Sequence, residues 1–581
     1  MKIVICTTPI RPVPTDYPPF GSLAVIQALR DAGYDPVFFD IDARRPSFET
    51  VVEELRALAP DVVGISAVVS TAYGYTKRLA TTLREILPNA RIVVGGNLAA
   101  SAELLLRRCG VHVCVAGEGE RVIVNLARHF ETGRGLDDAG LAAIKGISYL
   151  GPHDEVVFSG YEAAIPAAEF LDPDFTILET SSIVENFFRS PLTRSDFAQD
   201  ARTYEPHRRD KTMGTVLFTK GCVARCTFCH RWDRGFRQIP VEKVIDRIRH
   251  LMERYNVGFI QFGDENFGSD RKATDELIEK IAPLDILWKV AGVRARSVDP
   301  DLLHRMRAAG CVAVYYGFET GSPDMLKVME KNLDLSHNLA AARATFDAGL
   351  YTIYQLVLGM PGENRRTVGE TIAMVNKITE FIPEPPQKRL SIGYLQALPG
   401  TPVYEYARLK GLIGPGLDGE ETYLLRISNV EPDYTVKSLN FTDSPHLVMR
   451  SWMPRLLFET ARHWRRTRHM RRREMTPREY APKVLDTGGY FHLRGLRFNP
   501  TVLTALYPVR APLIWTYVFW TELRRSGPRI FAGRLRELVS ALFRRRERFT
   551  DYRSLRQIMK DATPPPSTDS EQSMMPLRAG R

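Results

Sequence analysis

Long apolar runs are missing from this chain. None of its 581 residues lies in an uninterrupted apolar stretch approaching the roughly 20 needed to span a bilayer, which excludes a transmembrane helix. Cysteine is scarce as well. There are seven, an odd number without the spacing of a disulfide framework, so a small bridge-held secreted scaffold is excluded. Cys6, Cys109, Cys114 and Cys311 sit in apolar stretches and read as packed thiols. The opening Met1-Lys2-Ile3-Val4-Ile5 has the character of a strand rather than of a signal peptide. A composition 44% hydrophobic and 25% charged is that of a globular protein, and the length predicts two to four domains. The net charge of +11 is uneven: between Arg450 and Lys560 there are 26 Lys and Arg against 8 Asp and Glu, which leaves the rest of the chain acidic. The basic character belongs to the C-terminal region.

The three remaining cysteines crowd into eight residues. Lys220-Gly221-Cys222-Val223-Ala224-Arg225-Cys226-Thr227-Phe228-Cys229 follows the apolar run Thr215-Val216-Leu217-Phe218. Three thiolates on one loop suit three irons of a 4Fe–4S cluster, because soft sulfur ligands select iron–sulfur clusters. The fourth iron then has no protein thiolate and is open for chemistry. The rival is a zinc site completed by His230, since three cysteines and a histidine are a known zinc set; four ligands within nine residues would close awkwardly. An open iron needs a reducing compartment, so the expected location is the cytoplasm.

The Cys-x3-Cys-x2-Cys segment resembles the cluster loop of the radical S-adenosylmethionine (SAM) enzymes. Residues 211 to about 405 support the resemblance with strands at Thr215–Phe218, Gly258–Phe262, Trp288–Val293, Ala313–Phe318, Thr352–Leu358 and Leu390–Leu395, separated by helices. Six βα units predict a partial parallel barrel with its site at the C-terminal strand ends. The resemblance implies that Cys222, Cys226 and Cys229 carry the cluster and the catalysis, and that SAM chelates the open iron. Gly263-Asp264-Glu265 resembles the family's acidic motif for the SAM ammonium. Arg294 or Arg296 would hold the carboxylate, as a guanidinium matches it bidentately. Gly317-Phe318-Glu319-Thr320-Gly321-Ser322 makes Glu319 a SAM contact. Gly359 and Gly362, in Gly359-Met360-Pro361-Gly362-Glu363, would let the adenine approach the backbone, with Phe228 flanking it. Ala397-Leu398-Pro399-Gly400-Thr401-Pro402 repeats a turn common after the sixth strand.

Residues 1–135 alternate short strands with helices, which predicts a doubly wound, Rossmann-like parallel sheet with ligands at the carboxyl strand ends. Those ends carry Thr7, Ser66, Ser70, Gly95, Gly96, Glu118 and Gly119. Together they resemble the cobalamin-binding domain that precedes the barrel in many radical SAM enzymes. The alternatives are a flavodoxin-like sheet that binds nothing and a degenerate nucleotide domain. The Asp-x-His-x-x-Gly motif of other cobalamin proteins is absent; Asp40-Ile41-Asp42-Ala43-Arg44 offers no histidine, so none is expected beneath cobalt.

Residues 136–210, interrupted by Pro152, Pro166, Pro173 and Pro191, read as a linker. Residues 406–560 read as a mainly helical basic domain, and 561–581 as a disordered tail. In the C-terminal region Trp515, Tyr517, Phe519 and Trp520 beside Arg524 and Arg525 suit either helices packed on the barrel or a peripheral contact with anionic lipid. No nucleic acid is expected. The resemblance implies a cobalamin-dependent radical SAM C-methyltransferase with 4Fe–4S, SAM and cobalamin, fed by an electron donor such as flavodoxin or ferredoxin, and acting on a small-molecule or lipid substrate. The alternatives are a cyclase or rearrangement enzyme of the same architecture on a tetrapyrrole or lipid, and a cobalamin- or SAM-binding regulator. A regulator has no need of an open iron.

Overall fold

The computed structural model describes residues 1–133, 139–230, 235–428, 438–468, 505–543, 549 and 551–562, with two short strand segments at 492–493 and 496–497. The tail beyond 562, the Arg471–Arg473 run and the Arg544–Arg546 run lie outside the described residues.

The first sheet holds β1 (Ile3–Thr7), β2 (Val37–Phe39), β3 (Val62–Ser66), β4 (Arg91–Gly95), β5 (Val113–Val115), β6 (Ile147–Leu150) and β7 (Val156–Phe158), in the order β2-β1-β3-β4-β5-β6-β7. The first five pair in parallel. They are near-continuous apolar runs because helices cover both faces. β6 and β7 add antiparallel at one edge, so the proline-broken stretch after residue 136 extends the sheet. Short strands split by Gly151–Glu155 carry too little period-2 pattern to show in the sequence.

The second sheet begins at β8 (Thr212–Val216). After it comes a small antiparallel ribbon, β9 (Thr219–Gly221) on β10 (Phe236–Gln238). Then follow β11 (Val257–Phe262), β12 (Leu287–Val293), β13 (Cys311–Glu319), β14 (Tyr354–Leu358) and β15 (Leu390–Tyr394). The order β8-β11-β12-β13-β14-β15 is sequential and all pairs are parallel, which is the curled half-barrel expected from six βα units. Its first strand sits about three residues earlier than the apolar run predicts, because Phe218 and Thr219 leave the sheet to start the ribbon.

One apolar core runs through both sheets, joining Ile3, Leu23 and Val115 to Val216, Phe262 and Trp288. A second joins the other face of the first sheet to Met325, Met360, Tyr404 and the helix Gly416–Ile427. That helix joins the two sides: Tyr73 donates its hydroxyl to Glu421 (2.8 Å), Ser101 bonds Glu420 (3.1 Å) and the Gly74 N–H donates to Ser428 (2.9 Å), while Tyr423 donates to the Ala397 carbonyl (2.7 Å) just beyond the last strand of the second sheet. The described C-terminal region is helical at His446–Arg450, Trp452–Arg466, Arg510–Phe543 and Leu555–Ala562, the third bent at Gly527-Pro528. Trp515, Tyr517 and Phe519 pack on Leu447, Phe458, Ile514 and Val518. These rings therefore serve the interior of the helical region rather than a lipid headgroup layer.

Candidate active site

The cluster loop is fixed from three directions. Asp264, just beyond β11, is buried behind it. Its Oδ1 accepts from the Phe218 N–H (2.9 Å), the Thr219 hydroxyl (2.8 Å) and the Thr219 N–H, while Oδ2 is enclosed without a partner. Burial pushes its pKa up to about 6 against the opposing pull of those bonds. Within the acidic motif expected to receive the SAM ammonium, the Asp264 carboxylate is engaged by the loop, and Glu265 borders the cavity between the two sheets. On the far side, the Thr227 N–H donates to the Met329 carbonyl (3.0 Å), the Thr227 hydroxyl to Val328 (3.0 Å), and the Val403 N–H to the Thr227 carbonyl (3.1 Å). The third support comes from the end of the chain, where Arg556 donates to the Arg225 carbonyl (2.6 Å) and pairs with Glu330.

Cys226 is buried and Cys222 half-buried. Burial raises the Cys226 thiol, partly opposed by the Lys331 charge. Cys229 is exposed as a residue, yet protein surrounds its sulfur. That desolvation, reinforced by the neighbouring thiols and by Glu265 and Glu319, pushes it up to about 12. The raised Cys226 and Cys229 thiols ionise together only beside a strong positive centre, as a metal cluster provides. Among the described residues no three His, Cys, Asp or Glu side chains converge as ligands of a single ion.

Three further groups crowd this space. Glu319, at the end of β13 with a left-handed backbone (φ 59°), holds the Lys331 ammonium at 3.1 Å. The same ammonium lies 6.0 Å from the Phe228 ring centre. Arg294 donates to the Lys331 carbonyl (2.8 Å) and Arg296 to that of Asn332 (3.2 Å). Both expected carboxylate partners are thus engaged by the loop after Val328. At the end of β14, Gly359 (φ 90°) donates its N–H to Glu363, whose full burial pushes its carboxyl up to about 8. Gly362 (φ 82°) has the Phe549 ring where a Cβ would stand.

Between the two sheets lies a cavity of about 440 Å³. Ser66, Gly95, Gly96, Gly117, Glu118 and Gly119 form one wall; Thr219, Lys220, Gly221, Gly263 and Glu265 form the facing one. A Cβ on Gly95 would meet nothing nearer than Val115 at 4.0 Å and would project into open space. Gly96 (φ 86°) lies so near β3 that a Cβ would come within 2.5 Å of the Ala67 carbonyl. Two expected residues are elsewhere. Thr7 donates to Asp40 (2.7 Å) and accepts from the Asp42 N–H (3.0 Å), while Ser70 is buried in the turn before the helix Tyr73–Ile86; neither lines the cavity.

Glu118 both lines the cavity and bolts the sheets together. It takes both oxygens to Arg237 (3.0 and 2.9 Å), pairs with Lys220 at 2.6 Å and accepts from the Ile165 N–H (2.8 Å). Sequence reasoning missed Lys220, Arg237 and Lys331. Only Lys220 carried a signal, its place two residues before the first cysteine.

The residues present fit the implied groups. A glycine-lined cavity with wide faces admits a large planar macrocycle, and three unbridged thiols on a backbone-braced loop suit a cluster. Comparison with known proteins agrees. The model of the B12 binding domain matches residues 7–127, and that of the radical SAM superfamily matches 216–375. An anaerobic magnesium-protoporphyrin IX monomethyl ester cyclase of Cereibacter sphaeroides is 29% identical over 62% of this chain and 56% of its own. The chain thus spans a little over half the length of that curated relative. Among solved structures, the radical SAM methyltransferase TsrM of Kitasatospora setae, with cobalamin and a 4Fe–4S cluster bound, superposes with a TM-score of 0.53 at 17% identity, covering 81% of this chain and 98% of its own. The cobalamin-dependent SAM radical enzyme OxsB, with aqua-cobalamin and SAM bound, gives 0.59 at 15% identity over 96% of this chain and 78% of its own. The chain thus carries a B12-binding domain and a radical SAM domain on one polypeptide, with the sheet of the first and the three-cysteine half-barrel of the second facing one cavity.

Proposed function

We propose that this protein is a cobalamin-dependent radical SAM methyltransferase acting on an unactivated carbon. The observation that supports it most is the shared cavity, with glycine strand ends on one side and the cluster-bearing ribbon on the other. When bound, a cluster would supply the electron for cleaving SAM to a 5′-deoxyadenosyl radical, and cobalamin would carry the methyl group. Cys222, Cys226 and Cys229 each take one iron. Gly95, Gly96, Gly117 and Gly119 give the cobalamin room, and Glu118 with Lys220 and Arg237 closes the walls against water. Among the described residues no histidine lines the cavity, so none of them would offer cobalt an imidazole. Glu265 lines the cavity and acts on the Cys229 thiol, which supports assigning it to the SAM ammonium. Glu319 and Arg294 act on the Cys226 thiol, which supports assigning them to the rest of SAM. Phe228, Gly359 and Gly362 are assigned to the adenine.

The test is anaerobic reconstitution followed by turnover with methyl-labelled SAM. Label in product, with 5′-deoxyadenosine and S-adenosylhomocysteine both released, supports methylation. Product without label, alongside 5′-deoxyadenosine, moves the assignment to a cyclase or rearrangement, the reading favoured by the named activity of the Cereibacter relative. A cob(II)alamin resonance split by a protein nitrogen would overturn the ligand-free lower face.

We also infer that the basic C-terminal helices rest on an anionic membrane surface. No described helix is long and apolar enough to cross a membrane. The support is the exposure of Ile530, Val539, Leu542 and Phe543 on an arginine-rich helix, in place of the aromatics expected from sequence. Co-sedimentation with anionic vesicles should fall as salt rises, and failure to pellet at low salt ends this reading.

A further inference from the structure

The cluster loop has two sides. Thr219, Lys220 and Gly221 line the cavity between the sheets, whereas Val223, Ala224 and Arg225, the next residues along, line a second and larger depression of about 1010 Å³. The two linings share no residue. The second one is strongly basic. Arg225, Arg294, Arg296, Lys327, Arg556 and Lys560 border it, against the carboxylates of Glu330 and Asp334. Arg556 already neutralises Glu330, and Lys327 has only a loose pair with Asp324 at 3.9 Å. Val223, 47% exposed, also lines it, an aliphatic tip directly after Cys222. An exposed aliphatic side chain among cations, one residue from a cluster thiol, is the chemistry of a surface that captures an acidic protein by long-range attraction and then excludes water at the contact.

We propose that this depression is the docking surface for an acidic one-electron carrier protein, which delivers its electron across the Cys222–Arg225 edge of the loop. The inference rests on the proposed function, which needs one electron for each SAM cleaved. The inner side of the loop faces the cobalamin cavity, so the electron enters from outside. The transfer makes and breaks no covalent bond: the carrier loses one electron and the cluster gains it. For a flavin carrier the anionic hydroquinone becomes the neutral semiquinone, with no proton exchanged. Arg556 has a positioning part here, since it ties the C-terminal helix both to the loop carbonyl of Arg225 and to Glu330.

The test uses the full, cluster-reconstituted chain with a flavodoxin as probe. Binding of oxidised flavodoxin is measured by calorimetry at low salt and at about 0.3 M salt, where surface attraction is largely screened. The parent should bind at low salt and lose most of its affinity at high salt. The pair Lys327→Glu and Lys560→Glu should weaken low-salt binding about tenfold or more. It should slow stopped-flow oxidation of flavodoxin hydroquinone to the same degree, yet leave dithionite-driven SAM cleavage unchanged. Arg529→Glu, on the distant basic helix, controls for general charge. Parent-like binding by the double variant would sink the proposal, as would an equal loss in Arg529→Glu or no binding by the parent at low salt. If dithionite drives no SAM cleavage while the double variant alone loses flavodoxin, the functional reading fails and the docking surface stands. If cleavage proceeds but flavodoxin binding ignores the charge reversals, the reverse holds.

Discussion

Both sheets are parallel and both place their site at the carboxyl ends of their strands, but they present opposite chemistry there. The first ends in Ser66, Gly95, Gly96, Gly117 and Gly119, a surface of backbone and small side chains whose carboxylates, Glu118 and Glu120, are paired with Lys220. The second ends in thiols, carboxylates and cations: Cys222, Cys226, Cys229, Asp264, Glu265, Glu319, Lys331 and Arg294. The contrast follows from what each must hold. A large, rigid, preformed group needs room and close backbone approach, and every Cβ removed makes room. A small inorganic cluster and a charged cosubstrate need ligands and counter-charges instead. Open α/β sheets bind outside their strand ends in either case, and the side chains there decide the kind of ligand.

That division can be broken one sheet at a time. Replacing Cys226 by Ala should abolish both the iron–sulfur absorbance and 5′-deoxyadenosine formation, because one iron loses its protein ligand. Cobalamin uptake should survive, so iron, sulfide and cobalt analyses together check the separation. The mirror experiment is Gly95→Leu. Its Cβ has free space, so the fold tolerates it, while the longer side chain fills the cavity. Cobalt content should drop more than about tenfold with iron content unchanged, since a ligand cannot share a well-packed volume.

Subtler changes probe how the halves are joined. Asp264→Ala leaves two buried N–H groups and a hydroxyl without their acceptor. At about 1–3 kcal/mol for each buried orphan, a loss near 3 kcal/mol is expected. Urea unfolding reads it, and the cluster should leach faster on dilution. Glu118→Gln should cost less, about 2 kcal/mol at pH 7 for a partly solvated junction. Burial alone would raise the Glu118 pKa, but the Arg237 hydrogen bonds and the Lys220 charge prevail and hold it below 4.5. A depressed carboxylate adds stability above its unfolded value and loses it as pH falls through the folded one. The gap between parent and Glu118→Gln in thermal melts should therefore be full at pH 7 and close toward pH 3. A gap that widens in acid would show that the Glu118 charge does not hold the junction.

The rhythm of strands and helices was legible in the chain from Ile3 to Leu395, as was the three-cysteine loop. Each depends on neighbours within a few residues: a run of buried β-branched residues, a glycine after a strand, thiols three and four positions apart. The hairpin Ile147–Phe158 was not legible, since its strands are too short to show alternation. The packing of Trp515, Tyr517 and Phe519 was likewise undecided by sequence, because an amphipathic face has the same pattern whether protein or lipid covers it.

The sequence by itself therefore determined the architecture and the cluster loop, whose physics is local. Only the tertiary structure decided which polar groups meet: Asp264 with Thr219, Glu118 with Arg237, Lys331 with Glu319, and Arg556 with Glu330 and the Arg225 carbonyl. The widest of these joins groups 331 residues apart. A charged side chain in a sequence carries no mark of its partner. The partner is selected when burial strips water from both and makes an unpaired charge more costly than any alternative contact.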